Sequence, residues 1–129
     1  MSWILSICWS HQYCNFDSTK SVGYISSYNL YYEEKDIQPN LVKWGPVSVI
    51  IDASPFSFIY YHEGIYDGDG CADYQNHAVT VVGYGSEDEK PYWIVRNSIG
   101  TLWGEDGYIR MLRNINICNI QGTIAVIEQ

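Results

Sequence analysis

The stretch that decides the fold is residues 75–98, QNHAVTVVGYGSEDEKPYWIVRNS. It contains two apolar runs of strand length, HAVTVVGYG and PYWIVRNS, both rich in β-branched and aromatic residues. The polar segment SEDEK between them predicts a tight turn, so the two runs should pair as antiparallel strands. His77 opens the first strand and Asn97 closes the second. The sequence therefore predicts that a histidine and an asparagine meet at one end of a hairpin.

This pairing has a specific chemical use. An asparagine carboxamide that accepts a hydrogen bond from one imidazole nitrogen fixes the tautomer of the ring and leaves the other nitrogen free to serve a nucleophile. A structural interpretation stands beside the catalytic one, because a lone histidine before a strand is more often a satisfied surface or core residue. Asn97, in the same way, could be a turn-former that ends its strand. The flanking sequence has to decide between these interpretations.

Two other groups that contain a histidine are weaker candidates. His62 lies beside Glu63 at the predicted end of a helical turn and is expected to be solvated. Cys71, Asp73 and His77 have side chains that can bind a metal ion, but their spacing within a glycine-rich loop argues against such a site. We therefore predict no metal and no other cofactor.

One segment before the hairpin has a helical pattern. Residues 33–43, EEKDIQPNLVK, begin with acidic and end with basic residues, as a helix dipole favours. Apolar Ile37, Leu41 and Val42 are spaced to form one face. Pro39 weakens the pattern, but a short helix is expected.

The remaining segments read mainly as strands. VSVIID, YIRMLR and TIAVIE are apolar runs of strand length, and PFSFIYYHEGIY suggests a helical turn stopped by Gly64. Residues 66–76 are dense in Gly, Asp and Asn, which is typical of turns. The expected fold class is α+β with a mostly antiparallel sheet that follows a short helical region.

Composition excludes several classes of partner. The 129 residues suit one domain, and 47% hydrophobic residues are ample for a buried core. The net charge is −8 and the seven basic residues are dispersed, so neither a nucleic acid nor an anionic membrane is an expected partner. The apolar run at residues 3–9 is too short to span a bilayer and no basic residue precedes it, so we predict no signal peptide.

The four cysteines favour disulfides over a zinc site. Cys8, Cys14, Cys71 and Cys118 do not form the paired C-x-x-C clusters that bind zinc. Wide, irregular spacing favours disulfides, which form in an oxidising compartment. Four cysteines permit three pairings, and spacing alone does not choose among them.

Five motifs follow one another in an order that resembles a known enzyme family. They are GPVSV at residues 45–49, GIY at 64–66, NHAVTVVGYG at 76–85, PYWIVRNS at 91–98 and WGEDGYIR at 103–110. Together they resemble the C-terminal half of papain-like cysteine peptidases such as the cathepsins, and an ordered series is far more specific than a single match. The resemblance covers residues 14–129. It implies the right-hand lobe of the papain-like fold, a mostly antiparallel half-barrel with one or two short helices, preceded by a leftover segment at residues 1–13.

The resemblance also implies roles for particular side chains. His77 would be the catalytic imidazole, and Asn97 would be the amide that orients it. Trp103 would belong to the wall on the leaving-group side of the cleft. Asn76 and Ala78 flank the histidine where the family lines its substrate groove. The implied substrate is a peptide or protein, and the implied location is lysosomal or extracellular.

The same resemblance suggests one of the disulfides. Cys71 and Cys118 match positions that the family joins. Cys8 and Cys14 would then be free thiols or a pair of their own.

The chain departs from the family pattern in two places. Papain-like enzymes place the nucleophilic cysteine in an N-terminal lobe, about 130–150 residues before the histidine, whereas 76 residues precede His77. We therefore expect the nucleophile lobe to be absent. The motif SICWS matches the family's C-G-S-C-W segment poorly, so Cys8 is not expected to act as a nucleophile. Ile99 replaces the tryptophan of N-S-W-G, and the histidine–asparagine hydrogen bond should consequently be wetter and weaker.

Two hypotheses about function remain open at this point. The first is a truncated product or an incomplete gene model of a secreted or lysosomal peptidase, inactive alone and acting on peptides when the missing lobe is supplied. The second is a non-catalytic remnant or binding module that keeps half of a peptide-binding groove. In either case an exposed apolar inter-lobe face is expected to cause self-association.

Overall fold

The expected hairpin lies near the middle of a seven-stranded sheet. The computed structural model describes residues 17–23 and 25–128, so the segment 1–13, Cys8 and Cys14 lie outside it. The strands in the described residues are β1 (Ser27–Tyr31), β2 (Val47–Ile51), β3 (Ile65–Tyr66), β4 (His77–Glu87), β5 (Lys90–Arg96), β6 (Tyr108–Leu112) and β7 (Ile124–Glu128).

The sheet is antiparallel apart from one short pair. Its spatial order is β1-β7-β2-β4-β5-β6-β3, and only β3 and β6 run parallel among the described strands. Two short helices, α1 (Ile37–Trp44) and α2 (Phe56–Ile59), accompany the sheet, with 3₁₀ turns at Ser18–Lys20, Glu34–Asp36 and Ile117–Gly122. The prediction of an α+β fold with a mostly antiparallel sheet and one or two short helices is confirmed.

The turn of the hairpin is shorter than the sequence predicts. Strand β4 continues to Glu87 and β5 begins at Lys90, where SEDEK predicted a five-residue turn. Only Asp88 and Glu89 connect the strands, with φ values of 49° and 63°. Two consecutive left-handed residues give a turn whose twist matches that of antiparallel strands, so the strands extend further into the polar segment.

Helix α1 confirms the predicted helix but changes its buried face. Ile37 is 0% exposed, whereas Val42 is 70% exposed, so the prediction that Val42 belongs to the buried face is wrong. Val42 follows Ile37 by five residues, which rotates it about 140° around the helix axis. Pro39 is tolerated because it is the third residue of α1, where backbone N–H groups have no partner within the helix.

The second predicted helix ends earlier than expected. Helix α2 stops at Ile59, so the prediction that Gly64 stops it is wrong. The Tyr61 hydroxyl donates to the Gly64 carbonyl oxygen at 2.6 Å, which closes a separate turn after the helix. Gly64 takes a φ of 89°, which favours glycine, at the entry to β3.

The core lies on one face of the sheet. Alternate residues of the central strands are buried, among them Val47, Val49 and Ile51 of β2 and Val79 and Val81 of β4. This is the period of two that a sheet with one buried face requires. His77 is paired with Ile51, so its side chain belongs to the same face. The fold therefore places the histidine at the end of the core face.

A buried carboxylate ties the 3₁₀ turn before α1 to β5 and to the loop after β6. Glu34 is 8% exposed. Its Oε1 accepts hydrogen bonds from Trp93 Nε1 at 2.8 Å and from the Asn114 N–H at 2.7 Å, and its Oε2 accepts one from the Asn116 N–H at 2.7 Å. Asn114 and Asn116 have φ values of 70° and 52°. One carboxylate thus anchors a loop of left-handed residues to the central tryptophan.

Candidate active site

The structure brings the predicted histidine and asparagine together. His77 is the first residue of β4, and Asn97 directly follows β5. Because Thr80 pairs with Arg96 in this hairpin, both side chains lie at the same end of the strand pair. His77 Nε2 and Asn97 Oδ1 are 2.8 Å apart. The Asn97 N–H donates to the Gly107 carbonyl oxygen at 2.9 Å, which fixes the backbone of the asparagine.

A second hydrogen bond determines the tautomer of the imidazole. The Ser98 N–H donates to the same Asn97 Oδ1 at 2.7 Å, so the atom that faces His77 is the amide oxygen and not the amide nitrogen. An oxygen can only accept, and His77 Nε2 must therefore carry the proton. Nδ1 is left with its lone pair and accepts no hydrogen bond from the described residues. The ring is arranged to take a proton at Nδ1.

Phe58 of α2 forms an aromatic wall beside this pair. Its ring centroid is 6.3 Å from that of His77 with the planes at 70°, and 5.2 Å from that of Trp103. Phe58 is 3% exposed. Trp103 Nε1 donates to the Ile59 carbonyl oxygen at 3.0 Å, which orients the indole over α2. Phe58 thus packs against both the imidazole and Trp103, a contact that the segment PFSFIYY did not reveal.

Asn76 is held by the end of β2. Its N–H donates to the Ile51 carbonyl oxygen at 3.0 Å, its Oδ1 accepts from the Ala53 N–H at 2.9 Å, and its Nδ2 donates to Asp52 Oδ1 at 3.3 Å. The side chain predicted to line a substrate groove is engaged within the protein. Sequence reasoning missed Asp52, although a carboxylate at the end of the apolar run VSVII is a signal that could have indicated it.

Ala78 lies on the opposite side of the sheet from His77. Consecutive strand residues face opposite sides, and Ala78 is exposed and paired with Ile50 of β2. The outward face continues through β7 to β1, where Tyr28 pairs with Ile127. Tyr28 is 67% exposed and Ile127 is 40% exposed. Ala78 therefore lies next to the histidine along the chain but on the other face of the sheet.

The asparagine is buried although Ile99 is not packed over it. Ile99 is 58% exposed, whereas Asn97 is 7% exposed. Within the described residues Asn97 Nδ2 is buried without a hydrogen-bond partner. Asn97 is thus buried although the side chain at position 99 is mostly exposed. The expectation of a wet hydrogen bond is thus not matched by the exposure of Asn97.

The disulfide implied by the family resemblance is present. Cys71 and Cys118 are joined, with their Cα atoms 5.0 Å apart and a sequence separation of 47. It fixes the segment before His77 to the 3₁₀ turn at Ile117–Gly122. Because the sulfur of Cys71 is bonded to Cys118, it cannot ligate a metal ion with Asp73 and His77. The described part of the chain contains no cluster of three or more potential metal-ligating side chains.

An ion pair holds the corner that carries Trp103. Arg110 of β6 forms hydrogen bonds with both carboxylate oxygens of Glu105, at 2.8 to 3.2 Å, and Glu105 Oε1 also accepts from the Gly64 N–H at 2.9 Å. The hydrogen bond with Arg110 lowers the pKa of Glu105. Burial raises the pKa of the nearby Tyr61 to about 12, so this phenol stays protonated. His62, the next residue, is exposed, as expected.

Comparison with known proteins identifies the family. The model of the papain family cysteine protease family matches residues 7–127. The chain belongs to the papain family of cysteine proteases. The resemblance drawn from the five motifs is therefore confirmed, and the pair of His77 and Asn97 lies within the matched region.

Relatives within the papain family are longer than this chain. Digestive cysteine proteinase 3 of Homarus americanus is 44% identical over 111 residues, covering 83% of this chain and 34% of the relative. Cathepsin S of Mus musculus is 44% identical over 110 residues, covering 83% and 32%. The chain thus spans about a third of the length of the curated relatives it matches.

Solved structures of papain-family proteins share the fold. Digestive procathepsin L 3 of the Tenebrio molitor larval midgut superposes with a TM-score of 0.85 at 36% identity, covering 93% of this chain and 40% of that one. The bromelain protease of Ananas comosus, in complex with the E64 inhibitor, gives a TM-score of 0.74 at 39% identity, covering 81% and 50%. These matches confirm the papain-like C-terminal lobe. No helix in the described residues has the length and apolarity to cross a bilayer.

Proposed function

We propose that this chain is the histidine-bearing lobe of a thiol peptidase that hydrolyses peptide bonds, with His77 as general base and then general acid and Asn97 as the residue that orients it. The observation that carries the proposal is the 2.8 Å contact between His77 Nε2 and Asn97 Oδ1. Ser98 fixes the amide oxygen in that contact, which leaves Nδ1 as the basic nitrogen. This is the arrangement that an imidazole needs in order to activate a thiol.

The chemistry follows from the state of the ring. Nδ1 of His77 takes the proton of a cysteine thiol, and the resulting imidazolium donates from Nε2 to Asn97 Oδ1. The thiolate attacks the carbonyl carbon of the scissile peptide, and Nδ1 returns its proton to the leaving nitrogen as the C–N bond breaks. Water, losing a proton to Nδ1, then attacks the thioester carbonyl, the C–S bond breaks to release the acid product, and Nδ1 returns this proton to the thiolate.

The nucleophile must come from outside the described residues. Both cysteines in the described part of the chain, Cys71 and Cys118, are joined in a disulfide and offer no thiol. We therefore propose that a separate lobe supplies the cysteine, and that the 129-residue chain alone is inactive. Asn76 and Trp103 are proposed to border the peptide groove beside His77, Asn76 by holding the backbone there, and Ala78 is proposed to border it from the outward face of the sheet.

The proposed location is lysosomal or extracellular. The disulfide between Cys71 and Cys118 requires an oxidising compartment to form and persist. Relatives of this chain include a digestive cysteine proteinase and a cathepsin S. Both observations support a protein that works outside the cytosol.

The outward face of the sheet supports a proposal about partners. Tyr28, Leu30 and Ile127 are 67%, 47% and 40% exposed and belong to the paired strands β1 and β7. Since β-strand side chains alternate, these three point to the same side. We propose that the nucleophile-bearing lobe covers this surface of Tyr28, Leu30 and Ile127. Chains without that lobe then associate with one another through the same surface.

The test is complementation. The chain is refolded with the separately expressed N-terminal lobe of a papain-family protease, and cleavage of a fluorogenic dipeptide is followed with and without a thiol-directed epoxide inhibitor. We expect turnover only in the mixture. His77→Ala should lower it at least about a hundredfold, because general acid–base catalysis contributes about 10²–10⁴ in rate. His62→Ala is the matched control, since this histidine is exposed and forms no hydrogen bond with His77 or Asn97 among the described residues.

Two outcomes would contradict the proposal. Inhibitor-sensitive turnover by the chain alone that disappears in Cys8→Ala would make Cys8 the nucleophile. A mixture that binds the dipeptide but never cleaves it would favour the second hypothesis, a peptide-binding module without catalysis.

A further inference from the structure

A buried carboxylate that the proposed chemistry does not use lies beside the loop before His77. Asp52 directly follows β2 and is 1% exposed. Its Oδ2 accepts a hydrogen bond from the Ala72 N–H at 2.8 Å, and its Oδ1 accepts one from Asn76 Nδ2 at 3.3 Å. One carboxylate therefore holds both ends of the segment 72–76, which leads into the histidine.

The same carboxylate also fixes its own surroundings. Asp52 Oδ1 accepts from the Ser54 N–H at 3.0 Å and from the Ser54 hydroxyl. The Asp52 N–H donates to the Cys118 carbonyl oxygen at 2.9 Å. Burial raises the pKa of Asp52, but the hydrogen bonds from Ser54, Ala72 and Asn76 outweigh it and hold the pKa below its ordinary value. Asp52 is thus an anion with a full set of donors around it.

Asn76 transmits this arrangement to the histidine. Its N–H, Oδ1 and Nδ2 bond to Ile51, Ala53 and Asp52 respectively. Three hydrogen bonds to consecutive residues hold both the backbone and the side chain of Asn76 against the end of β2. His77 is the next residue and pairs with Ile51 in the sheet. Any displacement of Asn76 must therefore move the backbone that carries the imidazole.

We propose that Asp52 is a positioning residue for His77, whose ionised carboxylate holds Ala72 and Asn76 and thereby keeps the imidazole within hydrogen-bond reach of Asn97. The inference rests on the proposed role of His77. Asp52 forms no hydrogen bond with the imidazole among the described residues, so it acts through Asn76. Its effect should appear in the contact between His77 Nε2 and Asn97 Oδ1, which spans 2.8 Å.

A purely structural role for Asp52 is the competing explanation, and the chain offers a matched control for it. Glu34 is also a buried carboxylate, and it accepts three hydrogen bonds at 2.7 to 2.8 Å from Trp93, Asn114 and Asn116. None of these donors belongs to the segment 72–77. Loss of charge at Glu34 should cost stability without disturbing the imidazole, whereas loss of charge at Asp52 should do both.

The experiment follows the Nε2–H proton of His77 by NMR in the full chain labelled with ¹⁵N-histidine, with the signal assigned by its loss in His77→Gln. Asp52→Asn, Asn76→Ala and Glu34→Gln are compared with the natural sequence, and urea unfolding of each variant supplies the matched stability. In Asp52→Asn, an NH₂ group must face a donor, because donors approach both carboxylate oxygens.

In Asp52→Asn and Asn76→Ala, we expect the His77 Nε2–H proton to exchange with solvent at least about tenfold faster than in the natural sequence. The reason is that losing a hydrogen bond to a charged group corresponds to a factor of roughly ten or more in an equilibrium. Glu34→Gln should leave the exchange rate unchanged. An unchanged His77 signal in Asp52→Asn, at a stability loss like that of Glu34→Gln, would overturn the proposal. If Asp52→Asn fails to fold, an unchanged signal in Asn76→Ala overturns it equally.

The readout separates this proposal from the proposed function. The Nε2–H signal requires neither a nucleophile nor a substrate. If the Asp52 variant releases the imidazole while the complemented lobe never cleaves a peptide, the positioning role stands and the peptidase function fails.

Discussion

Removing the buried carboxylate of Glu34 should markedly lower the free energy of unfolding, because three donors lose one acceptor group. In Glu34→Ala, Trp93 Nε1, the Asn114 N–H and the Asn116 N–H lose their acceptor. The indole N–H belongs to a residue only 2% exposed and stays unsatisfied, at a cost of about 1–3 kcal/mol. Asn114 is exposed and Asn116 half-buried, so water can replace part of their bonds. We expect a total loss of about 3–5 kcal/mol.

A conservative variant refines this estimate. In Glu34→Gln the amide oxygen can keep both bonds made by Oε1, to Trp93 and Asn114, while the NH₂ group meets the Asn116 N–H. One donor then lacks an acceptor, and we expect a loss of about 1–2 kcal/mol.

Urea unfolding followed by far-UV circular dichroism measures the free energy of unfolding of each variant. Glu33→Ala is the control, because Glu33 is an exposed neighbour whose pairing with Lys35 lies on the surface, and it should change stability by less than about 0.5 kcal/mol. A Glu34→Ala protein within about 1 kcal/mol of the natural sequence would show that the three hydrogen bonds contribute little, and would refute the reasoning.

Three further outcomes are expected. Replacing both Cys71 and Cys118 by serine should lower the free energy of unfolding by about 4 kcal/mol, because the disulfide closes a loop with a sequence separation of 47; urea unfolding that shows no loss would contradict this. The hydrogen bond with Arg110 holds the pKa of Glu105 below its ordinary value of 4.5. The ion pair therefore stabilises the fold fully above pH 4.5, and this stabilisation is lost as the pH falls through the lowered pKa of the folded protein. Glu105→Gln should therefore flatten the acid decline of stability, and parallel curves for the two proteins would be evidence against it. Tyr28→Lys should reduce self-association in sedimentation at micromolar concentration, whereas a natural chain that is already monomeric would refute the proposed surface.

Each of these comparisons has a control in the chain. Single serine variants at the two cysteines report the cost of the substitution apart from the bond. Glu63→Gln removes an exposed carboxylate and should leave the acid decline unchanged. Val42→Lys adds the same charge as the Tyr28 variant at a side chain that is 70% exposed on α1, and it should leave self-association unchanged.

Local pattern was enough to predict the elements that position the histidine. The apolar runs in HAVTVVGYG and PYWIVRNS indicate two strands, because they have strand length and are rich in β-branched and aromatic residues. With a tight turn between the strands, His77 and Asn97 had to meet at one end. The turn itself was predicted too long, since whether polar residues extend a strand depends on the twist of the pair and not on their polarity.

Strand β1 shows where local pattern was insufficient. Ser27–Tyr31 reads SYNLY, and four of its five residues are exposed, so its short apolar alternation at Tyr28 and Leu30 faces away from the core. It exists because β7, about a hundred residues later in the chain, offers a free edge to which it pairs from Ser27 with Glu128 to Tyr31 with Ile124. Such a partner cannot be found from the five residues themselves.

The amino-acid sequence by itself determined the family, the central hairpin and the meeting of His77 with Asn97, because these depend on the order of residues within short segments. Only the tertiary structure decided that Glu34 and Asp52 are buried carboxylates. The donors that bind these two carboxylates lie up to 82 and 24 positions away in the sequence. The reason is physical: apolar side chains are buried by their own periodicity, whereas a buried charge is stable only where distant segments bring enough hydrogen-bond donors to it.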